Sequence, residues 1–259
     1  MGRPNKQEQR FGEEKLNNQG CLMKIARYND ANDIVVEFQD EYKAMVHASY
    51  GNFLTGDIKN PYYPSVYGVG IIGDKYPSRV NKKSIKEYAI WHNMLQRCYD
   101  NDIIQKRPTY KDVVCCKEWL LYENFYEWLH SQENFEQWLN GGRWCLDKDI
   151  LVKGNKIYSP ETCCLVPIGV NSLFTKRDLH RGDLPIGIQR VLKKYRASFN
   201  TINGHTNFPV RSTINEAFED YKEHKEETIK QVAQEEYIKG NITKRCYEAM
   251  MNYEVEIID

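Results

Sequence analysis

Leu146-Asp147-Lys148-Asp149-Ile150 sets two carboxylates on either side of one ammonium, with apolar residues at both ends. Carboxylate oxygens suit hard divalent ions such as Mg2+ or Mn2+. A lysine serves as a base only where its ammonium is destabilised, and acidic neighbours act in the opposite direction. The ordinary reading of the same residues is a solvated strand end, with Asn155 as a turn residue. Both readings stay open at this point. A second set with chemical potential is Arg190, Lys193, Lys194, Tyr195, Arg196 and Arg211, cations interleaved with an aromatic. Such residues on a sheet suit phosphates and base edges, and they also suit an ordinary solvated basic face.

The eight cysteines stand at Cys21, Cys98, Cys115, Cys116, Cys145, Cys163, Cys164 and Cys246. They contain no Cys-x-x-Cys pair, the spacing zinc modules normally supply. Two vicinal pairs on strands would point to opposite sides, so buried structural thiols are expected and zinc is not. Met1-Gly2-Arg3-Pro4-Asn5-Lys6 does not read as a secretory leader, so a disulfide framework is not expected either. The six histidines, His47, His92, His130, His180, His205 and His224, are scattered.

At 259 residues, 41% of them hydrophobic, the chain is long enough for two or three small domains with cores of their own. No apolar run reaches membrane-spanning length, so a cytosolic location and no membrane partner are expected. Formal net charge is zero, which weakens any reading of the whole chain as a polyanion binder. Charge is segregated, however: residues 176–215 carry a balance of +6 and residues 216–259 one of −6.

The pattern along the chain predicts an α+β, multidomain protein. Residues 1–19 read as a flexible arm, and residues 20–60, with short alternating stretches around Met23 and Ile34, as a small β-barrel. Residues 61–87 read as an ordered connector. Gly68, Gly70 and Gly73 match Gly-x-Gly-x-x-Gly, but no strand–helix crossover follows to make it a phosphate loop. Tyr88, Trp91, Leu95 and Cys98 repeat at helical spacing, as do Trp119, Tyr122, Phe125 and Leu129. Leu146 to Ile150, a turn at Lys153-Gly154-Asn155, Lys156-Ile157-Tyr158, then Ser159 to Pro167 read as strand, hairpin loop and strand, and Ile168 to Thr175 as a short helix carrying Asn171, a ββα order. Beyond it come three strands, with Asn203-Gly204 as one turn, then helices from Ile214 to Met251 and a final strand over Tyr253 to Ile257.

Tyr88-x-x-Trp91-x-x-Met94-Leu95-x-Arg97-Cys98-Tyr99, Cys116-x-Glu118-Trp119 and Phe125-x-x-Trp128 resemble the aromatic scaffold of phage-encoded HNH proteins. Leu146 to Ile150, Tyr158 to Cys163 and Asn171 resemble their ββα core. Pro185 to Ile188, Tyr195-Arg196-Ala197 and Glu216-Ala217-Phe218-x-x-Tyr221-Lys222 resemble the three-stranded DNA-binding domain of plant ethylene-response factors, which phage homing endonucleases carry behind the HNH module. The likeness covers roughly residues 88–225, placing a degenerate HNH-like domain over 88–178 and a DNA-binding-like domain over 179–259.

It implies double-stranded DNA as partner through Arg190, Lys193, Lys194, Tyr195, Arg196 and Arg211. It also implies a metal site at Asp147, Asp149 and Asn171 for Mg2+ or Mn2+. The sequence departs from the pattern where the chemistry matters. Asp147-Lys148 stands where the family has Asp-His, leaving Lys148 in the place of the general base. Thr162 stands where the middle asparagine is expected. The resulting expectation is a DNA-binding relative of HNH homing endonucleases with weak or absent cleavage. The competing class is a catalytically dead phage protein that acts on a host defence or replication protein.

Overall fold

The computed structural model describes residues 9–175, 183–201 and 204–258; His180, Asn203 and the first eight residues of the expected arm lie outside this range. The protein mixes helices with several small, separate sheets. It divides into two compact units, one running to Lys111 and taking back Lys117–Glu127, the other made of Asp112–Cys116 and the chain from Trp128 onward. No helix among the described residues is long and apolar enough to cross a membrane.

The first unit begins with an antiparallel meander of β1 (Glu14–Leu16), β2 (Leu22–Asp30), β3 (Asp33–Phe38) and β4 (Met45–Ala48), in spatial order β1-β2-β3-β4. Alternation sends Met23 and Ile25 inward and Lys24 outward. Ile34, Val36, Phe38 and Phe53 complete the core. Ser49 caps the short helix α1 (Tyr50–Thr55) by accepting from the Asn52 N–H, and Gly56, at φ 74°, ends it.

Two expectations change here. The sheet is open, with β1 and β4 as its edges, rather than a closed barrel. It also starts at Glu14, inside the segment expected to be an arm. Glu14, Lys15 and Leu16 are all exposed, so they join through backbone pairing that apolar periodicity cannot register.

A two-residue hairpin, β5 (Arg79–Val80) and β6 (Lys83–Ser84), precedes helix α2 (Lys86–Tyr99) and the shorter α3 (Asn101–Lys106). Helix α2 buries Trp91, Met94, Leu95 and Cys98, as the spacing predicts. Trp91 Nε1 donates to the Trp119 carbonyl at 2.7 Å. The start of α4 (Tyr122–His130) places the Tyr122 ring 5.3 Å from that of Trp91 and 5.5 Å from that of Tyr88.

The connector is ordered by a buried acid. Glu123 Oε1 accepts from the Asp74 and Lys75 N–H groups at 2.9 and 2.8 Å, and from Tyr62 Oη at 3.2 Å. The Gly-x-Gly-x-x-Gly match has a packing reason. A Cβ at Gly70 would lie 2.5 Å from Leu95 Cδ1, and one at Gly73 would lie 2.1 Å from Glu123 Oε1.

In the second unit β8 (Trp144–Asp147) and β10 (Cys164–Pro167) pair antiparallel, and α6 (Ile168–Phe174) follows directly. A separate parallel pair joins β7 (Val114–Cys115) to β9 (Ile157–Tyr158), and α5 (Phe135–Asn140) buries Phe135 and Trp138. Three antiparallel strands, β11 (Ile188–Val191), β12 (Lys194–Thr201) and β13 (Gly204–Arg211), form the third sheet.

The 25-residue helix α7 (Ile214–Ile238) serves both halves of this unit. Its first turns put Ala217, Phe218 and Tyr221 against Ile188, Ala197 and Phe199 of the third sheet. Further along, Ile229 and Ala233 pack with Cys164, Val166 and Val170, and with Cys246 and Met250 of the last helix, α8 (Lys244–Met251). Thr213 and Glu216 form a reciprocal capping box at the start of α7. The expected final strand does not form. Val255 is buried, but its N–H donates to Glu226 Oε1 at 2.8 Å instead of to a neighbouring strand.

Gly187 stands at φ 76°, where an added Cβ would meet the Tyr221 ring at 2.1 Å. Gly187→Ala should therefore cost more than the roughly 1–2 kcal/mol of a left-handed non-glycine residue. Gly169→Ala, in α6 with nothing within 4 Å, should be neutral or slightly stabilising. Denaturant unfolding of the two variants checks the contrast; equal stabilities would contradict this packing.

Candidate functional site

Asp147 ends β8 and folds the next residues around itself. Its Oδ1 accepts the Asp149 N–H at 2.7 Å and the Ile150 N–H at 2.8 Å. Burial pushes the Asp147 carboxyl above the usual carboxylate range, partly opposed by those two donors. Lys148 is only 7% exposed. Its Nζ donates to Asp149 Oδ1 at 2.6 Å and to the Asn155 carbonyl at 2.8 Å. The side chain of Asn155 answers by donating to the Lys148 and Ile157 carbonyls at 2.8 and 2.7 Å. Thr162 Oγ1 donates to the Ile157 carbonyl at 2.7 Å.

The structure thus brings Asp147, Lys148 and Asp149 into one closed loop braced by Asn155 and Thr162. Lys148 acts there as a hydrogen-bond donor, whereas a general base needs a free lone pair. Its ammonium already occupies the side of Asp149 that a cation would take. Asn171 sits half-buried on α6, and among the described residues no hydrogen bond engages its amide. Nor do the described residues contain a group of three or more His, Cys, Asp or Glu able to hold a metal ion. As folded, Asp147 Oδ1 is taken by two turn N–H groups and Asp149 Oδ1 by the Lys148 ammonium, so a divalent ion here would compete with that ammonium.

Two thiols nearby, Cys163 and Cys164, are buried. Cys164 is raised well above the ordinary thiol value, first by its hydrogen bond with Cys246 and then by burial. Cys163 is pushed up to about 12, mainly by burial. A thiol held so far up carries almost no thiolate at neutral pH.

The third sheet divides the other candidate residues between its two faces. Register places Arg190 opposite Tyr195 and Tyr195 opposite Arg211, one rung on the side facing α7. Arg190 lies over the Tyr195 ring at 5.3 Å. Arg211 is committed to α7: Nε and Nη2 bind Asp220 Oδ2 and Oδ1 at 2.7 and 2.8 Å. The adjacent rung, Gln189–Arg196–Val210, faces away from the helix, and alternation puts Lys194 and Ser198 on that side too. Asn207, opposite Ser198, accepts from Gln189 Nε2 at 3.3 Å. Lys193 follows Leu192 at the hairpin tip, where Leu192 is 92% exposed.

The open face therefore gathers Lys194 and Arg196 with Gln189 and Asn207, two residues that a search for cations alone passes over. Strand alternation combined with hairpin register is the signal that finds them. Arg196 Nε is buried without a hydrogen-bond partner. Compared with known protein families, with curated proteins and with solved structures, the chain finds no match.

Two outcomes test this geometry. Lys148→Ala should destabilise the protein by about 1–3 kcal/mol, below the cost of breaking a fully buried pair because Asp149 remains partly solvated. In native protein near pH 8, mass-spectrometric mapping of maleimide labelling should find Cys163, Cys164 and Cys246 unmodified while the half-buried Cys21 reacts. Rapid labelling of Cys164 would contradict its burial.

Proposed function

We propose that this protein binds double-stranded DNA through the open face of β11–β13, and that its ββα segment is an HNH-derived scaffold with weak or absent nuclease activity. The observation that carries this reading is the rung Gln189–Arg196–Val210 flanked by Lys194 and Asn207. No Asp or Glu occurs between Asp183 and Glu216. A guanidinium fork matches guanine O6 and N7, a Gln or Asn amide matches adenine, and an apolar side chain accommodates the thymine methyl group. Lys193 and Lys194 supply phosphate contacts that carry no sequence information.

The ββα order and the likeness to phage HNH proteins support descent from a homing endonuclease. The cross-linked Lys148–Asn155 loop supports loss of its chemistry, since a residue locked as a donor cannot activate water. Arg211 enters as the strut that fixes the sheet on α7, leaving Arg196 and Lys194 as the principal contacts.

A gel-shift series on duplexes at low salt tests the binding. Arg196→Gln should weaken it about 5- to 150-fold, the range for losing one good bidentate base contact. Arg211→Gln should lower the unfolding temperature more than it lowers affinity. Failure of the wild-type protein to bind any duplex at low salt would remove the reading. With Mg2+ or Mn2+ present, any residual cleavage should persist in Asp147→Ala and Asn171→Ala; its selective loss in both would restore the metal site.

A further inference from the structure

We infer that the β5–β6 hairpin of the first unit is a phosphate-binding ribbon that engages both walls of a duplex groove. Between Asp74 and Glu87 the chain carries Lys75, Arg79, Lys82, Lys83 and Lys86 and no acidic residue. Lys75 is held by Glu127. Arg79, Lys82 and Lys83 are exposed, and among the described residues no ion pair or hydrogen bond engages their charged groups.

The hairpin is made by a two-residue turn, Asn81 and Lys82, at φ 50° and 65°, a primed turn that matches the twist of a narrow ribbon. Ordinary β-hairpin economy would put Gly after Asn at such a turn, yet Lys stands there. Val80, on the same ribbon, is 53% exposed, so the hairpin is not explained by core packing.

Register fixes where the charges point. Arg79 is opposite Ser84 and Val80 is opposite Lys83. Residues directly opposite share a face and successive residues alternate, so Arg79 and Lys83 extend from opposite faces, with Lys82 at the tip. A flat anionic surface, such as a lipid headgroup layer or an acidic patch on a protein, would meet only one of those faces. A groove with phosphates on both sides meets both, and a two-stranded ribbon is an element that the major groove of a duplex admits. The ribbon supplies a phosphate contact of its own, and it rests on the proposed DNA reading only for the identity of the polyanion.

The test measures duplex affinity against salt for full-length wild type, for Arg79→Gln/Lys82→Gln/Lys83→Gln, and for Lys194→Gln/Arg196→Gln. Losing two to three phosphate contacts should flatten the slope of log K against log salt by about 2–3. Affinity near 100 mM salt should fall roughly 10-fold or more, with the preference between duplex sequences unchanged. Unfolding temperatures should stay at the wild-type value, because none of the three residues packs in a core.

If the hairpin variant keeps wild-type slope and affinity while the sheet variant weakens, the ribbon inference is overturned and the sheet reading stands. The reverse pattern overturns the sheet reading and keeps the ribbon. Retained duplex affinity together with loss of binding to phosphatidylserine vesicles would also overturn the ribbon, assigning it to a lipid surface. A wild-type protein with no duplex affinity at low salt overturns both.

Discussion

The second unit depends on one constraint: α7 must bury two different apolar patches along a single helix. Twenty-five residues at 1.5 Å per residue give a rod of about 37 Å, too long for one small core. Ala217, Phe218 and Tyr221 use its first turns on the three-stranded sheet, and Ile229 and Ala233 use its later turns against β10, α6 and α8. Lys225 lies between the patches, only 4% exposed, with its ammonium 5.4 Å from the Tyr221 ring centroid. Its aliphatic stem lets a charged residue sit within a buried stripe. Both the sheet and the ββα segment thereby take their position from the same element. Arg211 adds a charged link to Asp220 at the sheet end, and the Thr213 capping box fixes where the helix begins.

Hydrogen-bond completion separates two polar clusters of the second unit. A buried charge is tolerated when its donors and acceptors are matched internally. Lys148 is matched by Asp149 and Asn155, and Asn155 is matched in return. A cluster tied together in this way is held in place by its own hydrogen bonds. Arg196 differs, since its Nε is buried and lacks any acceptor. The difference lies in hydrogen-bond completion: Lys148 is buried with its donors matched, and Arg196 is half-buried with its Nε unmatched.

The first unit relies on Glu123 in a comparable way. One carboxylate oxygen gathers two backbone N–H groups and a tyrosine hydroxyl, and the close approach at Gly73 requires glycine there. Two glycines of an apparently phosphate-binding pattern, Gly70 and Gly73, thus answer to packing against Leu95, Trp91 and Glu123, while Gly68 stands in open space at φ 74°. Connector residues that lack helical or strand periodicity still acquire a single conformation, because their backbone donors find a buried acceptor.

Local pattern alone placed much of this. Helical spacing of Trp91, Leu95 and Cys98 and alternation around Met23 and Ile25 are short-range properties, so they are visible in sequence; the strand expected over Leu146 to Ile150 instead stops at Asp147, and Ile157–Tyr158 pairs with Val114–Cys115 rather than with it. The strand at Glu14–Leu16 was invisible because none of its side chains is buried, and the expected strand at Tyr253–Ile257 failed because Val255 spends its N–H on Glu226. The amino-acid sequence by itself determined which residue types were available: two carboxylates around Lys148, a run of cations without acids from Arg190 to Arg211, and no histidine on the first strand of the ββα segment. Tertiary structure decided which of them are already spent. Register divides Arg196 from Arg211 across the two faces of one sheet, and the fold around Asn155 closes on Lys148. Those outcomes depend on partners several to many residues away, and hydrogen-bond satisfaction between them is a property of the folded chain.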